Sequence, residues 1–263
     1  MPSFLKSIVF VHLTELLLLV TICVPATHAA VFYDDFNDGN IEGWELFSPF
    51  GNTAVTFPNG NSVRLATGQS PNLAFGPGRG LIHRALPQTE DFQLSVDISG
   101  YDDTNNFFGL LARGREVGAG TLDGYLVTYS PQWFTNPSLP HARFAIDRVD
   151  NEVPTRLIEV QFDTLPANGV YQLSLTTLGS LLTANMYDLS NPLVPLHTIS
   201  ADDGSYLGGI AGLVVIGSNV NNVTALATFD NFSLQSIPEP GTWSMILGSL
   251  VILGYRRKFH AAS

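Results

Sequence analysis

Phe92-Gln93-Leu94-Ser95-Val96-Asp97-Ile98 decides the fold class. Apolar and polar residues alternate without interruption, the period of a strand with one face in a core and the other in water. The same alternation returns in Ala142-Arg143-Phe144-Ala145-Ile146-Asp147, in Ile158-Glu159-Val160-Gln161-Phe162-Asp163 and in Tyr171-Gln172-Leu173-Ser174-Leu175-Thr176. Residues 183–187 and 210–216 read as two more strands. Between them stand turn formers: Asn59-Gly60-Asn61, Gly76-Pro77-Gly78, Asn168-Gly169 and Asp202-Asp203-Gly204. Asn and Gly tolerate positive φ, so these sites favour tight reversals. No helical period interrupts the series from residue 31 to about 234. The spacing predicts about 12 to 15 short strands, enough for two antiparallel sheets packed face to face.

Composition sets the outer bounds. The chain has 263 residues, 45% hydrophobic and only 13% charged. Setting aside both ends leaves roughly 200 residues, enough for one sandwich with a sizeable core. Formal net charge is −11. The segment between the two ends holds eight basic residues, all Arg, against 21 acidic ones, a charge near −13. That sign disfavours nucleic acid and anionic lipid as partners of the central domain and suits Ca²⁺. It also serves solubility alone. The single cysteine, Cys23, lies in the N-terminal apolar run. The mature domain then has no disulfide, thiol nucleophile or thiolate metal site.

Residues 1–29 read as a secretory signal, followed by a domain over 30–235. Lys6 is the basic start, residues 8–24 are mostly apolar, and Pro25 precedes Ala26-Thr27-His28-Ala29-Ala30. Small residues at Thr27 and Ala29 suit cleavage by signal peptidase before Ala30. At the other end, residues 237–260 show three parts in order. Pro238-Glu239-Pro240 is extended by its prolines, an apolar stretch runs over 243–255, and Arg256-Arg257-Lys258 closes it. As a transmembrane helix the stretch would be about 20 Å long, short for a hydrocarbon core of about 30 Å. The basic cluster would stay in the cytoplasm, with the domain outside.

This three-part tail resembles the PEP-CTERM sorting signal of Gram-negative bacteria that make exopolysaccharide. The resemblance implies that Pro238, Glu239 and Pro240 are read by an exosortase and that Arg256, Arg257 and Lys258 hold the precursor in the inner membrane. The chain would be a substrate of that enzyme, delivered to the cell surface or extracellular matrix. The domain carries a second resemblance. It opens with Asp34-Asp35-Phe36-Asn37-Asp38-Gly39 and Ile41-Glu42-Gly43-Trp44, and it closes with Ala227-Thr228-Phe229-Asp230-Asn231-Phe232. This is similar to the concanavalin A-like, or laminin-G-like, jelly roll, which implies an all-β lectin-like sandwich whose first and last strands pair.

Three constellations bear on chemistry. Asp34, Asp35, Asp38 and Asp230 converge if those two strands are neighbours, and could hold Ca²⁺; the alternative is that they cap their own turns. Tyr129, Trp133, Phe134 and Asn136 combine aromatic faces with an amide on an expected long loop, a composition suited to glycan binding; the alternative is that the aromatics fold back on the sandwich. Tyr101, Asn105, Asn106, Arg113 and Arg115 are a neighbouring candidate face. Catalytic residues are expected to be absent. The Glu-x-Asp-x-x-Glu strand motif of glycosidases on this fold is missing, and Glu159 and Asp163 are about 13 Å apart on one strand. There is no nucleophile elbow, and His83, His141 and His197 read as scattered surface residues. The expected function is structural or adhesive within an exopolysaccharide matrix, with weak glycan binding. A glycan-active hydrolase or lyase and a simple anchored periplasmic protein are the alternatives.

Overall fold

The computed structural model describes residues 31–50, 52–71, 76–85, 91–102, 106–132, 142–217 and 224–237. Fifteen strands follow one another: β1 (Val31–Asp34), β2 (Glu45–Phe47), β3 (Thr53–Thr56), β4 (Val63–Thr67), β5 (Arg79–Ala85), β6 (Phe92–Ser99), β7 (Phe107–Arg115), β8 (Asp123–Ser130), β9 (Ala142–Asp150), β10 (Val153–Phe162), β11 (Tyr171–Leu178), β12 (Leu181–Asp188), β13 (His197–Asp202), β14 (Ile210–Ile216) and β15 (Ala225–Ser236). One 3-10 turn, Pro58–Gly60, is the only helical element among the described residues. The expected two-sheet antiparallel sandwich is the one observed.

One sheet runs β13-β12-β11-β6-β15-β4-β3, with β1 also on β15, and the other runs β10-β9-β8-β7-β14-β5-β2. First and last strands pair, Phe32 opposite Leu234 and Asp34 opposite Phe232. Between the sheets lies one core. In β6, Phe92, Leu94, Val96 and Ile98 all point into it, as their alternation requires. Asp97 points the other way yet is buried, because Gln172 Nε2 and Asn231 Nδ2 each donate to its carboxylate at 2.9 Å.

Two bulges set side chains that alternation would misplace. Asn231 takes φ 51°, and the β15–β6 register shifts between Asp230 and Ser233. The extra residue lets Phe229 and Phe232, three apart, both enter the core. In β7 the register against β8 shifts between Ala112 and Arg115, and Arg113 has φ 51°. Its guanidinium is buried, with Nη1 donating to Gly179 O at 2.8 Å and Tyr206 O at 3.1 Å. Arg113 thus ties both sheets together at one end of the sandwich, where it closes the core.

That end is the base of the molecule. The start of β1, the start of β6 and the end of β15 meet there, since Val31 pairs Gln235 and Ile237 N donates to Asp91 O. The opposite end, the tip, carries the start of β11, with Tyr171 Oη donating to Pro166 O, and the end of β8. Strands of eight residues put base and tip about 26 Å apart.

Candidate functional site

The outer side of the seven-stranded sheet, away from the core, is the candidate binding face. In β8, Tyr125, Val127 and Tyr129 point inward, so Leu126, Thr128 and Ser130 point outward. Register then lays out three rows. Gln161, Arg143 and Ser130 share the first, Glu159, Ala145 and Thr128 the second, and Arg156, Asp147 and Leu126 the third. Gly109 stands opposite Thr128 in the second row. A Cβ there would collide with the Val127 carbonyl, so the backbone packs closely beside Thr128.

The polar half of this face is charged and buried together. Arg143 is 2% exposed, lies over the Phe107 ring at 5.0 Å and is 3.9 Å from Glu159. Burial pulls its guanidinium down to about 10, helped by Arg156 and opposed by Asp147 and Glu159, so it stays charged at neutral pH. Arg156 Nε donates to Asp147 Oδ1 at 2.5 Å, and its Nη1 bonds Glu159 Oε2. Beside these charges, the hydroxyls of Thr128 and Ser130 are buried and have no hydrogen-bond partner among the described residues. Such groups are rare because a lost hydrogen bond costs about 1–3 kcal/mol. Toward β14, β5 and β2 the same face turns apolar. Leu81, Leu111, Leu126 and Val214 form a second buried cluster there with Leu122, and Phe47 and Val117 pack against it.

Several residues singled out from sequence lie elsewhere. Tyr129 is not on a loop: it ends the inward row of β8, 1% exposed, packed edge-on against Phe108 and Tyr101. Its hydroxyl accepts from Leu165 N. The strand continues to Ser130, because the core still needs an aromatic there. Tyr101, Asn106 and Arg113 are buried as well and form no exposed face. His83 is buried on the outer face, opposite Glu45 and Gly212, rather than at the surface. Burial pushes its pKa below the ordinary histidine value, against the opposing charge of Glu45. Trp133, Phe134, Asn136, Asn105 and His141 lie outside the described residues, as do the signal segment 1–29 and the tail residues Pro238, Glu239, Pro240, Arg256, Arg257 and Lys258. Among the described residues no helix is long and apolar enough to cross a membrane.

The four aspartates at the paired first and last strands are used locally. Asp34 accepts from Phe36 N at 2.8 Å and from Trp44 Nε1 at 2.7 Å. Asp35 accepts from Asn37 N, Asp38 from Asn40 N and Asp230 from Asn231 N. These are turn-capping bonds. Asp230 also lies near Asp97 and Asp35; burial first, then those charges, raise its pKa. Among the described residues no three His, Cys, Asp or Glu side chains cluster as metal ligands. Asp34 has a further task that its sequence context hints at: it fixes the Trp44 ring, which packs on Phe36 at 5.7 Å and Phe232 at 4.8 Å.

No protein-family model and no curated protein matches the chain. Solved structures do match. The fold is the lectin-like jelly roll. A carbohydrate-binding module, CBM66 from Bacillus subtilis, superposes with a TM-score of 0.53 at 17% identity, covering 74% of this chain and 96% of that one. The lectin UEA-II, solved with galactose, gives 0.53 at 13% identity over 80% of this chain and 99% of its own. A xylan β-1,4-xylosidase from Bacillus halodurans C-125 gives 0.53 at 14% identity over 78% of this chain and 39% of that one. At these identities the likeness is one of fold.

Proposed function

We propose that this chain is a non-catalytic glycan-binding protein, exported and then sorted through its C-terminal tail to the cell surface or exopolysaccharide matrix. What supports the binding role is the half-exposed pair Arg156 and Glu159 with the exposed Gln161 on the outer face of the seven-stranded sheet. Guanidinium, carboxylate and amide on one patch offer the donors and acceptors that a sugar's own hydroxyls need. Trp133, Phe134 and Asn136 follow β8 directly in the sequence and join this reading as stacking and amide groups. The lectin and carbohydrate-binding neighbours support it at the level of fold.

Export and sorting rest on the sequence of the two ends. Signal peptidase and an exosortase are the processing partners, and the precursor is held in the inner membrane of a Gram-negative cell by residues 243–255. Mass spectrometry of the mature protein tests this: loss of the tail near Pro238-Glu239-Pro240 is expected, and an intact Ser263 would overturn it.

A glycan array with the full chain, followed by titration of the best binder and a reducing-end assay, tests the binding role. Binding without turnover is the expected result. An empty array would sink the glycan reading. New reducing ends that vanish on Asp147→Asn or Glu159→Gln would replace it with a hydrolase or lyase.

A further inference from the structure

The base of the sandwich carries three exposed leucines where the chain leaves for its tail. Leu178 and Leu181 face each other across the β11–β12 hairpin and are 47% and 44% exposed; Leu207, in the loop 203–209, is 39% exposed. Their common location is fixed by bonds. Gly179 N donates to Asp91 Oδ1 at 2.6 Å, Ile237 N donates to the same residue's carbonyl at 2.9 Å, and Arg113 holds Gly179 O and Tyr206 O. Val31, the first residue of β1, is at this end too. Both apolar flanking segments therefore depart from the leucine-bearing end.

Only residues 238–242 separate Ile237 from the apolar stretch that starts at Trp243. Five residues span at most about 18 Å, less than the length of the sandwich. With residues 243–255 in a bilayer, the base is held within about 18 Å of that surface, while the tip is free to stand farther off.

We propose that, while the tail is in place, the base docks on the outer lipid surface of the membrane through Leu178, Leu181 and Leu207. The inference rests on the reading of 243–255 as a membrane segment. Exposure alone would choose differently. Leu193, between β12 and β13 at the tip, is 89% exposed, and Val194 beside it is 64% exposed. The short tether overrides exposure by holding one end at the surface and raising its effective concentration there. The domain's charge near −13 makes the expected partner a zwitterionic lipid surface, since anionic headgroups repel it.

The test uses the full chain with Cys23→Ser, which removes its only cysteine. Single cysteines replace Leu181, Leu207, Leu193 or Leu250, each carries a nitroxide, and the protein is reconstituted in phosphatidylcholine vesicles. Collision with oxygen against a water-soluble nickel chelate reads depth. Labels at 181 and 207 are expected to shift from aqueous toward bilayer accessibility, while the label at 193 stays aqueous. Adding phosphatidylglycerol is expected to reduce the shift, and Leu178→Asp with Leu181→Asp is expected to abolish it at 207. Aqueous readings at 181 and 207 beside a buried label at 250 overturn the docking alone; an aqueous label at 250 overturns the membrane-segment reading beneath it. Burial of the label at 193, or a shift at 207 that survives the two aspartates, would also refute the proposal.

Discussion

At the scale of single residues, the buried hydroxyls of Thr128 and Ser130 bear on folding and the half-exposed Arg156 beside them on binding. A buried hydroxyl with no partner costs stability, so Thr128→Val and Ser130→Ala should leave the melting temperature unchanged or raise it. Arg156→Ala should instead weaken glycan binding by about tenfold, the worth of one lost hydrogen bond near 1.4 kcal/mol. A structural role would show the reverse pattern in melting and titration. Arg113→Ala should do the opposite. It strips two buried carbonyls of a charged donor and should cost about 2–5 kcal/mol, read by chemical denaturation. The aspartates of the opening turn give a third residue-scale outcome. Because their oxygens accept from backbone N–H groups and from Trp44, chelator treatment should not move the melting temperature. A rise of several degrees on adding Ca²⁺ would show that these residues bind the ion.

Among elements, the loop 203–209 is latched to β8 and β9 by charge. Tyr125 Oη donates to Asp203 Oδ1 at 2.8 Å, Arg148 Nη1 donates to Oδ2 at 2.9 Å, and Ser205 N donates at 2.9 Å. Burial would raise the Asp203 carboxyl, but these bonds outweigh it and hold it at about 2. A depressed carboxyl contributes stability that is present above its ordinary value near 3.8 and is lost as pH falls toward 2. His83 on the seven-stranded sheet and His197 on β13 add a second step. Burial lowers both, and the His197 ring lies 4.0 Å from that of Phe162 across the sheet edge. The unfolded chain takes up these protons first, so stability is full above about 6.5 and declines as pH drops below it. Melting temperature followed from pH 8 to pH 2 should therefore fall in two stages, and His197→Phe should flatten the upper one.

The elements also show how far sequence reaches. Alternation found β6, β9, β10 and β11 through their polar side, and the runs at 183–187 and 210–216 marked β12 and β14. It passed over β7 and β8, whose residues are nearly all buried on both sides. A strand covered twice has no polar period to read. The bulge at Asn231 likewise hides in the sequence, since two phenylalanines three apart look like a broken pattern until the register shift brings both inward. The partnerless hydroxyls gave no signal at all, because Thr and Ser are ordinary strand residues and their isolation depends on neighbours far along the chain.

For the whole molecule, the strand boundaries predict what can be cut away. A chain trimmed to residues 31–237 keeps every described strand and the full core, so it should melt within a few degrees of the full-length protein. Starting the chain at residue 35 instead removes β1 and its Phe32, which packs on Trp44 and Phe232 at 6.0 Å, and should lower the melting temperature sharply. The same architecture separates the ends: Val31, Ile237 and the three leucines at the base, the end of β8 at the tip.

Read alone, the sequence determined the strand period and the sandwich class, because backbone alternation and turn chemistry are local properties of neighbouring residues; the pairing of first and last strands was what the jelly-roll resemblance implied. It also marked the apolar ends. Which side chains are enclosed, which hydroxyls lack a partner and which end carries the exposed leucines were decided only by the packing of strands distant in the chain. Burial is a property of what surrounds a residue, and a jelly roll brings those surroundings from far apart in the sequence.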